Sequence, residues 1–358
     1  MTSTKEDGTT AAAAAQQLGS MSEPENNEDA DTNGTPTKLC SKCGKESDAL
    51  MKCRACKCVW YCDKECQNKH WKEHKIECKS IKNILEQRGG KLDIGTELDI
   101  GPVGKLPLRE ECPICMHAMP IARQLSLYFV CCGKSLCLAC DYQHNIKARE
   151  GNEERVQLQQ PPVPRTCAFC REPISHSEEE ILARLRKRVE QKDPEAIYSM
   201  AMNYGYGRFG LPVDQAKCIE LFRESAGLGL PVAYYKLGEF HFKGEMGLEL
   251  NKEEALKYLE KAAEGGHLNA RHNLGCTEWA NGNHVAAMRH MRLSASGGYR
   301  PSTEALIKYF EFGFFRHDDL AETLQAMYCA RVEMRSENRD KYIEHLKRTG
   351  EYEESMSE

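Results

Sequence analysis

The chain has 358 residues, enough for two or three domains and a sizeable buried core. Its 49 Lys and Arg against 54 Asp and Glu leave a formal charge of −5, which carries no global nucleic-acid signature, so no nucleic-acid partner is expected. No apolar run is long enough to cross a bilayer, which argues against a membrane partner. All 19 cysteines except Cys218, Cys276 and Cys329 fall before residue 171, marking a metal-rich front half ahead of a helical rear half. The opening "MTSTKEDGTT" holds no apolar run of signal-peptide length. Reduced thiols on metal in an intracellular setting, cytoplasm or nucleus, therefore fit better than a disulfide framework.

Residues 1–37 are rich in Thr, Ala, Glu, Asn and Asp without apolar periodicity, and are expected to form a disordered leader. Between residues 38 and 80 come eight potential ligands, Cys40, Cys43, Cys53, Cys56, Cys62, Cys66, His74 and Cys78. A C-x2-C pair forms a tight knuckle that aims two thiolates at one ion, and tetrahedral zinc needs two such pairs, so eight ligands predict two zinc ions. Cys62 with Cys66, and His74 with Cys78, are each four apart, on one face of a helix. Cys58 and His70 fall outside the pattern and are read as non-ligands. This order and the wording "YCDKECQNKHWKEHKIEC" resemble the MYND zinc finger. The resemblance implies interleaved sites, one on Cys40, Cys43, Cys62 and Cys66 and the other on Cys53, Cys56, His74 and Cys78. Gln67 and Trp71 match the C-Q-x3-W-x2-H wording that forms a proline-rich peptide groove in that family, although Trp71 could instead pack the small core.

Residues 81–108, including "RGGKLDIGTELDIGPVGK", read as a glycine-rich linker. A second cluster follows over residues 109–176, with Cys112, Cys115, Cys131, Cys132, Cys137, Cys140, Cys167 and Cys170. "CPIC", "CCGKSLCLAC" and "CAFCR" resemble the RING finger, another cross-braced two-zinc module. By that resemblance one zinc takes Cys112, Cys115, Cys137 and Cys140, and the other takes Cys167, Cys170 and two middle ligands. Lys134 stands where the family usually has a histidine. Cys131 beside Cys132 can complete the site, and His117 or His144 is the alternative. Ile114 and Arg171 match positions at which active RING ligases meet a ubiquitin-conjugating enzyme. Ala168 departs from the family's usual proline, and the plain alternative is that Ile114 fills a core and Arg171 is merely solvated.

From Ser177 the period changes to that of an amphipathic helix, with Ser177 and Glu180 as a capping box and Ile181, Leu182, Leu185 and Val189 on one face. Arg184, Arg186, Lys187 and Arg188 read as its solvated face. Pro194, Ala196, Gly207, Gly210, Asp214 and Ala226 recur 37 residues later as Pro231, Ala233, Gly244, Gly247, Asn251 and Ala263. A third unit, five residues shorter, brings Asn283, Ala295 and Gly298. Asp214, Asn251 and Asn283 stand as N-caps of each second helix, and small residues such as Ala226, Ala263 and Ala295 let paired helices approach. The pattern A-x3-L-G and the "KAAEGGHLNA" junction resemble Sel-one-like repeats, relatives of tetratricopeptide repeats. A degenerate fourth unit starts at Pro301, the solenoid extends over residues 177–347 with its tail capping the stack, and 348–358 form an acidic tail. Gly205, Gly207 and Gly210 spell G-x-G-x-x-G, but no strand precedes them and the glycines recur, so they form a hairpin turn rather than a phosphate cradle. Cys218, Cys276 and Cys329 read as helical core residues.

The expected architecture is two small cross-braced zinc-binding modules followed by an all-α helical-repeat solenoid, with four zinc ions per chain. Structural zinc sites are closed shells, so no catalytic residues are assigned. The expected function is zinc-dependent protein recognition. Either the second module engages a ubiquitin-conjugating enzyme while the finger and repeats choose a substrate, or the chain is a non-catalytic adaptor or transcriptional co-regulator binding proline-rich peptides. Metal removal is expected to unfold the fingers and leave the solenoid, through its independent core.

Overall fold

The structure is a computed structural model that describes residues 39–352 apart from 48, 102, 108 and 122. The predicted leader and residues 353–358 of the predicted tail lie outside the described residues. The first module holds a short antiparallel hairpin, β1 (Met51–Lys52) with β2 (Trp60–Tyr61), in the register Met51 to Tyr61. Helix α1 (Lys64–Gln87) follows, started by Asp63, whose Oδ1 accepts the Cys66 N–H at 2.7 Å. Nothing between Cys78 and Arg88 breaks this helix. Cys78, Ile81, Ile84 and Leu85 stay buried at helical spacing, so α1 runs straight through the boundary predicted at residue 80.

The second module has a longer antiparallel hairpin, β3 (Ser126–Phe129) with β4 (Lys134–Cys137), closed by the pair Phe129 and Lys134. Helix α2 (Leu138–Gln157) leaves from β4. The remainder is helical: α3 (Glu178–Glu190), α4 (Pro194–Tyr206), α5 (Gln215–Gly227), α6 (Pro231–Lys243), α7 (Lys252–Glu264), α8 (Leu268–Ala280), α9 (His284–Ser296), α10 (Arg300–Glu311), α11 (His317–Glu333) and α12 (Glu337–Thr349).

Helices α4 and α5, α6 and α7, and α8 and α9 form three hairpins, and each hairpin stacks on the next. The close crossing depends on missing side chains: a Cβ on Gly238 would lie 3.2 Å from the Ala255 carbonyl oxygen, and one on Gly275 would lie 3.1 Å from that of Ala287. Ala226, Ala263 and Ala295 are all buried at the junctions. Asp214 and Asn251 cap α5 and α7 through the N–H groups of Lys217 and Glu254, as predicted. Asn283 does not cap α9. Its Nδ2 donates instead to Glu278 at 2.8 Å, because the shortened turn changes its backbone. Gly207 ends α4 in the left-handed conformation (φ 62°), so the G-x-G-x-x-G run is indeed a helix-to-helix turn.

Three expectations are corrected by tertiary packing. The predicted linker is a fitted strap: Leu98 N–H donates to the Phe314 carbonyl at 3.0 Å, Thr96 Oγ1 to that of Gly313 at 2.8 Å, and Ile100 is buried. Arg289 Nε donates to the Ile100 carbonyl, and the Arg88 guanidinium lies 4.4 Å from the centre of the Phe310 ring. The predicted end cap, α12, does not cover the stack but crosses to α2, where Tyr342 and His345 pack on Tyr142 at 5.1 and 4.6 Å. Arg188 is not a free cation, since it donates to the Cys131 carbonyl at 2.8 Å.

The core follows this packing. Cys53, Cys56, Tyr61, Cys78 and Ile81 of the first module share one buried cluster with Met288, Met291, Leu306, Phe310, Phe315, Leu324 and Tyr328 of α9–α11. Full burial of a side chain such as Phe310 stabilises by about 1.5–3 kcal/mol. A separate cluster, from Leu182 to Phe240, fills α3–α6, with Tyr128 and Val130 of the second module against it. Tyr128 fixes that contact by donating to Asp193 at 2.7 Å.

His267 caps α8, its Nδ1 accepting from the Ala270 N–H at 3.3 Å while the ring stacks on Tyr235 at 4.3 Å. Burial, reinforced by Arg123 and Lys236, lowers its pKa to about 4. An unfolded histidine titrates near 6.5, so the native state binds fewer protons in this range. The contribution is complete above about pH 6.5 and falls away as pH drops through about 4. An NMR titration should find His267 still neutral at pH 5, and His267→Asn, which retains a capping oxygen, should flatten the loss of stability between pH 6.5 and 5.

Candidate metal centres

One backbone device is built four times. In four of the five C-x2-C pairs the residue after the second cysteine is left-handed, Gly44 (φ 72°), Lys57 (φ 59°), Met116 (φ 56°) and Arg171 (φ 67°), whereas the fifth pair, Cys137 and Cys140, opens helix α2. Its N–H returns to the carbonyl of the first cysteine, at 2.9 Å for Gly44 to Cys40 and Lys57 to Cys53, 2.8 Å for Met116 to Cys112, and 3.1 Å for Arg171 to Cys167. This tight turn brings the two sulfurs of each pair to one side. Knuckle N–H groups also point at sulfur, as Phe169 N–H does at Cys167 Sγ, 3.4 Å away.

The donors converge in four groups, each with its ligand atoms within 4.8 Å of one another: Cys40, Cys43, Cys62 and Cys66; Cys53, Cys56, His74 and Cys78; Cys112, Cys115, Cys137 and Cys140; and Cys131, Cys132, Cys167 and Cys170. Knuckle and helix pairs interleave in these groups. Sulfurs lie 3.5 Å apart for Cys43 and Cys62, 3.8 Å for Cys53 and Cys78, 3.9 Å for Cys115 and Cys137, and 3.8 Å for Cys132 and Cys167. A zinc–sulfur bond of about 2.3 Å sets a tetrahedral edge near 3.8 Å, so the donors fit zinc in spacing as well as type. Zinc binding is thus a property of this chain. Each of the four groups offers four protein donors, the complement of structural rather than catalytic zinc.

Charge makes the same demand. Burial pushes the Cys40 thiol up, but N–H groups of Cys43, Lys42 and Cys62 outweigh it and bring its pKa down to about 7. Burial and the neighbouring thiols Cys43 and Cys40 push Cys62 up to about 11, and burial with Cys40 and Cys43 raises Cys66 further. The first thiolate of the group forms readily, whereas the later ones ionise only against a cation.

Adjacent Cys131 and Cys132 reach one centre because the β3–β4 turn doubles back between them and β4. Cys132 and Gly133 N–H groups both donate to the Phe129 carbonyl, and Gly133 is left-handed (φ 70°). The histidine alternatives are engaged elsewhere, His117 Nδ1 2.6 Å from the Cys115 carbonyl oxygen and His144 Nε2 3.1 Å from that of Thr166. Lys134 is exposed, its Nζ 5.8 Å from the centre of the Phe169 ring.

Cys58 and His70 stay outside the donor groups. Cys58 Sγ is 3.3 Å from His317 Nε2, and His70 Nδ1 is 3.0 Å from the Tyr61 hydroxyl. Cys218 is core, as predicted, and Cys329 is half-buried, but Cys276 is exposed on α8, 3.6 Å from His272 Nε2. Trp71 is 44% exposed and Gln67 half-buried, both on α1, so Trp71 is no core residue. Ile114 is 44% exposed and Arg171 is exposed, each at a knuckle. Two contacts had no signal in the sequence: His74 Nδ1 lies 3.1 Å from Tyr328 Oη, and Arg339 Nη2 lies 3.6 Å from Cys115 Sγ. Their partners are 254 and 224 residues away.

Comparison with known families agrees with the first module and the repeats. The MYND finger model matches residues 40–78, and the Sel1 repeat model matches residues 194–230 and 231–267. The chain is similar to SET domain-containing protein 14 of Caenorhabditis elegans (35% identity over 81 residues, 23% of this chain and 18% of that protein). It is also similar to SET domain and MYND-type zinc finger protein 6 of Schizosaccharomyces pombe (44% over 45 residues, 13% and 9%) and to histone-lysine N-methyltransferase SMYD3 of Homo sapiens (38% over 50 residues, 14% and 12%). The chain thus spans less than a fifth of the length of these curated relatives. Among solved structures, a Sel1 repeat protein from Oxalobacter formigenes matches at 25% identity and TM-score 0.33, over 36% of this chain and 97% of that one. The Escherichia coli antigen c5321, of SLR fold, matches at 21% and 0.37, over 53% and 40%.

The shared cluster alters what metal removal should do to the repeats. With zinc chelated, amides of α4–α7, whose two buried clusters contain none of the grouped donors, should keep their hydrogen-exchange protection. Amides of α10 and α11, which pack on Cys53, Cys56 and Cys78, should lose much of theirs. Uniform protection across α4–α11 after chelation would contradict the shared core.

Proposed function

We propose that this zinc-binding protein-interaction scaffold carries four zinc ions, two in each cysteine-rich module, with the sixteen grouped side chains as ligands. In this reading the second module is RING-like and docks a ubiquitin-conjugating enzyme, while the MYND finger and the repeats select the protein to be modified. The observation that carries it is Ile114, an apolar side chain standing 44% exposed at a knuckle whose backbone the metal holds rigid. Met116 and Phe169 are exposed at 65% and 45% on the two knuckles, and a small module that leaves such groups in water is built to meet a partner. Arg171 adds a guanidinium on a fixed left-handed backbone, free to bridge two bound proteins.

The adaptor reading rests on Trp71. Extended prolyl peptides dock on exposed aromatics at low entropic cost, and Gln67 one helical turn earlier adds a hydrogen-bonding group. Both readings share the same scaffold and differ in whether the second module activates an enzyme. The methyltransferase names belong to relatives matched over short segments, and among the described residues the chain beyond the two modules is helical, so that chemistry is not part of the proposal.

Elemental analysis of the pure monomer should give four zinc ions per chain, and a value of two would remove one module from this account. With a charged conjugating enzyme, the protein should speed ubiquitin discharge. Arg171→Ala should slow it about tenfold with zinc retained, since a hydrogen bond to a charged group contributes about 1.5–3 kcal/mol. Ile114→Ala should weaken docking, so excess conjugating enzyme should rescue it more than Arg171→Ala. If a broad panel of conjugating enzymes shows no stimulation, the adaptor reading stands alone. It then requires Trp71→Ala to lose about 2 kcal/mol of affinity for a proline-rich peptide.

A further inference from the structure

The two unforeseen contacts share an origin. Tyr328 lies on α11 and Arg339 on α12, consecutive helices at the far end of the solenoid, yet one reaches a donor of the first module and the other a donor of the second. His74 turns Nε2 toward its donor group, 3.3 Å from Cys56 Sγ, which leaves Nδ1 facing the Tyr328 hydroxyl. With a metal on Nε2 the neutral ring carries its proton on Nδ1 and donates it to Tyr328 Oη, so that one oxygen selects both tautomer and ring orientation. The site is dry: His74 and Tyr328 are each 1% exposed, and the Tyr328 ring stands edge-on to His70 at 4.3 Å.

Arg339 makes the corresponding contact in the second module. Its Nη1 is held by the carbonyls of Ala118, at 2.7 Å, and Met334, which leaves Nη2 to donate to Cys115 Sγ at 3.6 Å and to the His117 carbonyl at 3.5 Å. A guanidinium N–H on a metal-bound thiolate draws off part of its charge and fixes its direction.

We infer that Tyr328 and Arg339 are outer-shell positioning residues, through which the C-terminal helix pair α11–α12 tightens one zinc site in each N-terminal module. This rests on the zinc assignment above. Linkage makes the coupling reciprocal: the helices raise zinc affinity, and zinc holds the helices in place.

The test uses the full zinc-loaded chain challenged with a chromogenic chelator. Tyr328→Phe keeps the ring and removes only the hydroxyl, and one zinc per chain should then transfer at a chelator concentration about 10–100-fold lower than in the wild type. Arg339→Gln should do the same to a different zinc, the double variant should release two, and Tyr309→Phe, a hydroxyl loss elsewhere in the solenoid, should release none early. Unchanged zinc retention in natively folded Tyr328→Phe and Arg339→Gln would overturn the inference. Should a variant not fold, the wild-type NMR spectrum decides: a His74 Nδ1–H shielded from exchange supports the Tyr328 contact, and an Nδ1 without a proton defeats it. Wild-type protein with fewer than four zinc ions would strike at the zinc assignment, whereas four ions with unaltered variants would defeat only the outer-shell roles.

Discussion

Three or four thiols with their sulfurs within 4.8 Å of one another cannot all carry charge unless a divalent cation stands among them, and this chain builds four such groups from fifteen cysteines and one histidine. Everything in the first half depends on that neutralisation. The hairpins are two and four residues deep, far too short to hold a module together by strand pairing. The knuckles supply geometry by backbone alone, through a left-handed residue and one returning N–H at four of the five C-x2-C pairs. Cohesion is what a metal at each donor group would supply. Two such modules of few residues can therefore offer rigid, exposed apolar and cationic groups to partners, which a hydrophobic core of that size would not support.

The modules are not beads ahead of a repeat domain. Cys53, Cys56 and Cys78 belong to the same buried cluster as Phe310, Leu324 and Met327, and the strap from Leu92 to Val103 lies along that seam. At the other module, Tyr128, Arg188 and α12 make the attachments. Helices α4–α7 remain the part whose packing owes nothing to the grouped donors. A partner bound at the finger and one bound at the second module would accordingly be held at a set separation, which is what a scaffold that presents one protein to another needs.

Function on this frame resides in side chains the fold leaves uncovered. Ile114, Met116, Phe169 and Trp71 are all exposed on the two modules, and the repeats leave Phe242, Leu250 and Phe312 exposed as well. Modules and repeats alike therefore offer apolar contact surface.

The ligand sets, the interleaving and the repeat hairpins were legible in the sequence because each rests on short spacing: two residues for a knuckle, four for a helix face, 37 for a repeat. Asp214 and Asn251 could be read as caps for the same reason, since capping is a three-residue interaction. What could not be read was long-range. Glycine in "LDIGTELDIG" suggested a loose linker, although Leu92, Leu98 and Ile100 within it and Val103 just beyond supply the apolar contacts of a strap, and only the neighbouring surface of α9–α11 decides that they do. The exposure of Cys276 and the redirection of α12 depend likewise on which faces find partners. Tyr328 and Arg339 carry no local pattern at all, because a hydrogen bond across 254 or 224 residues is specified by packing and leaves no period in the chain.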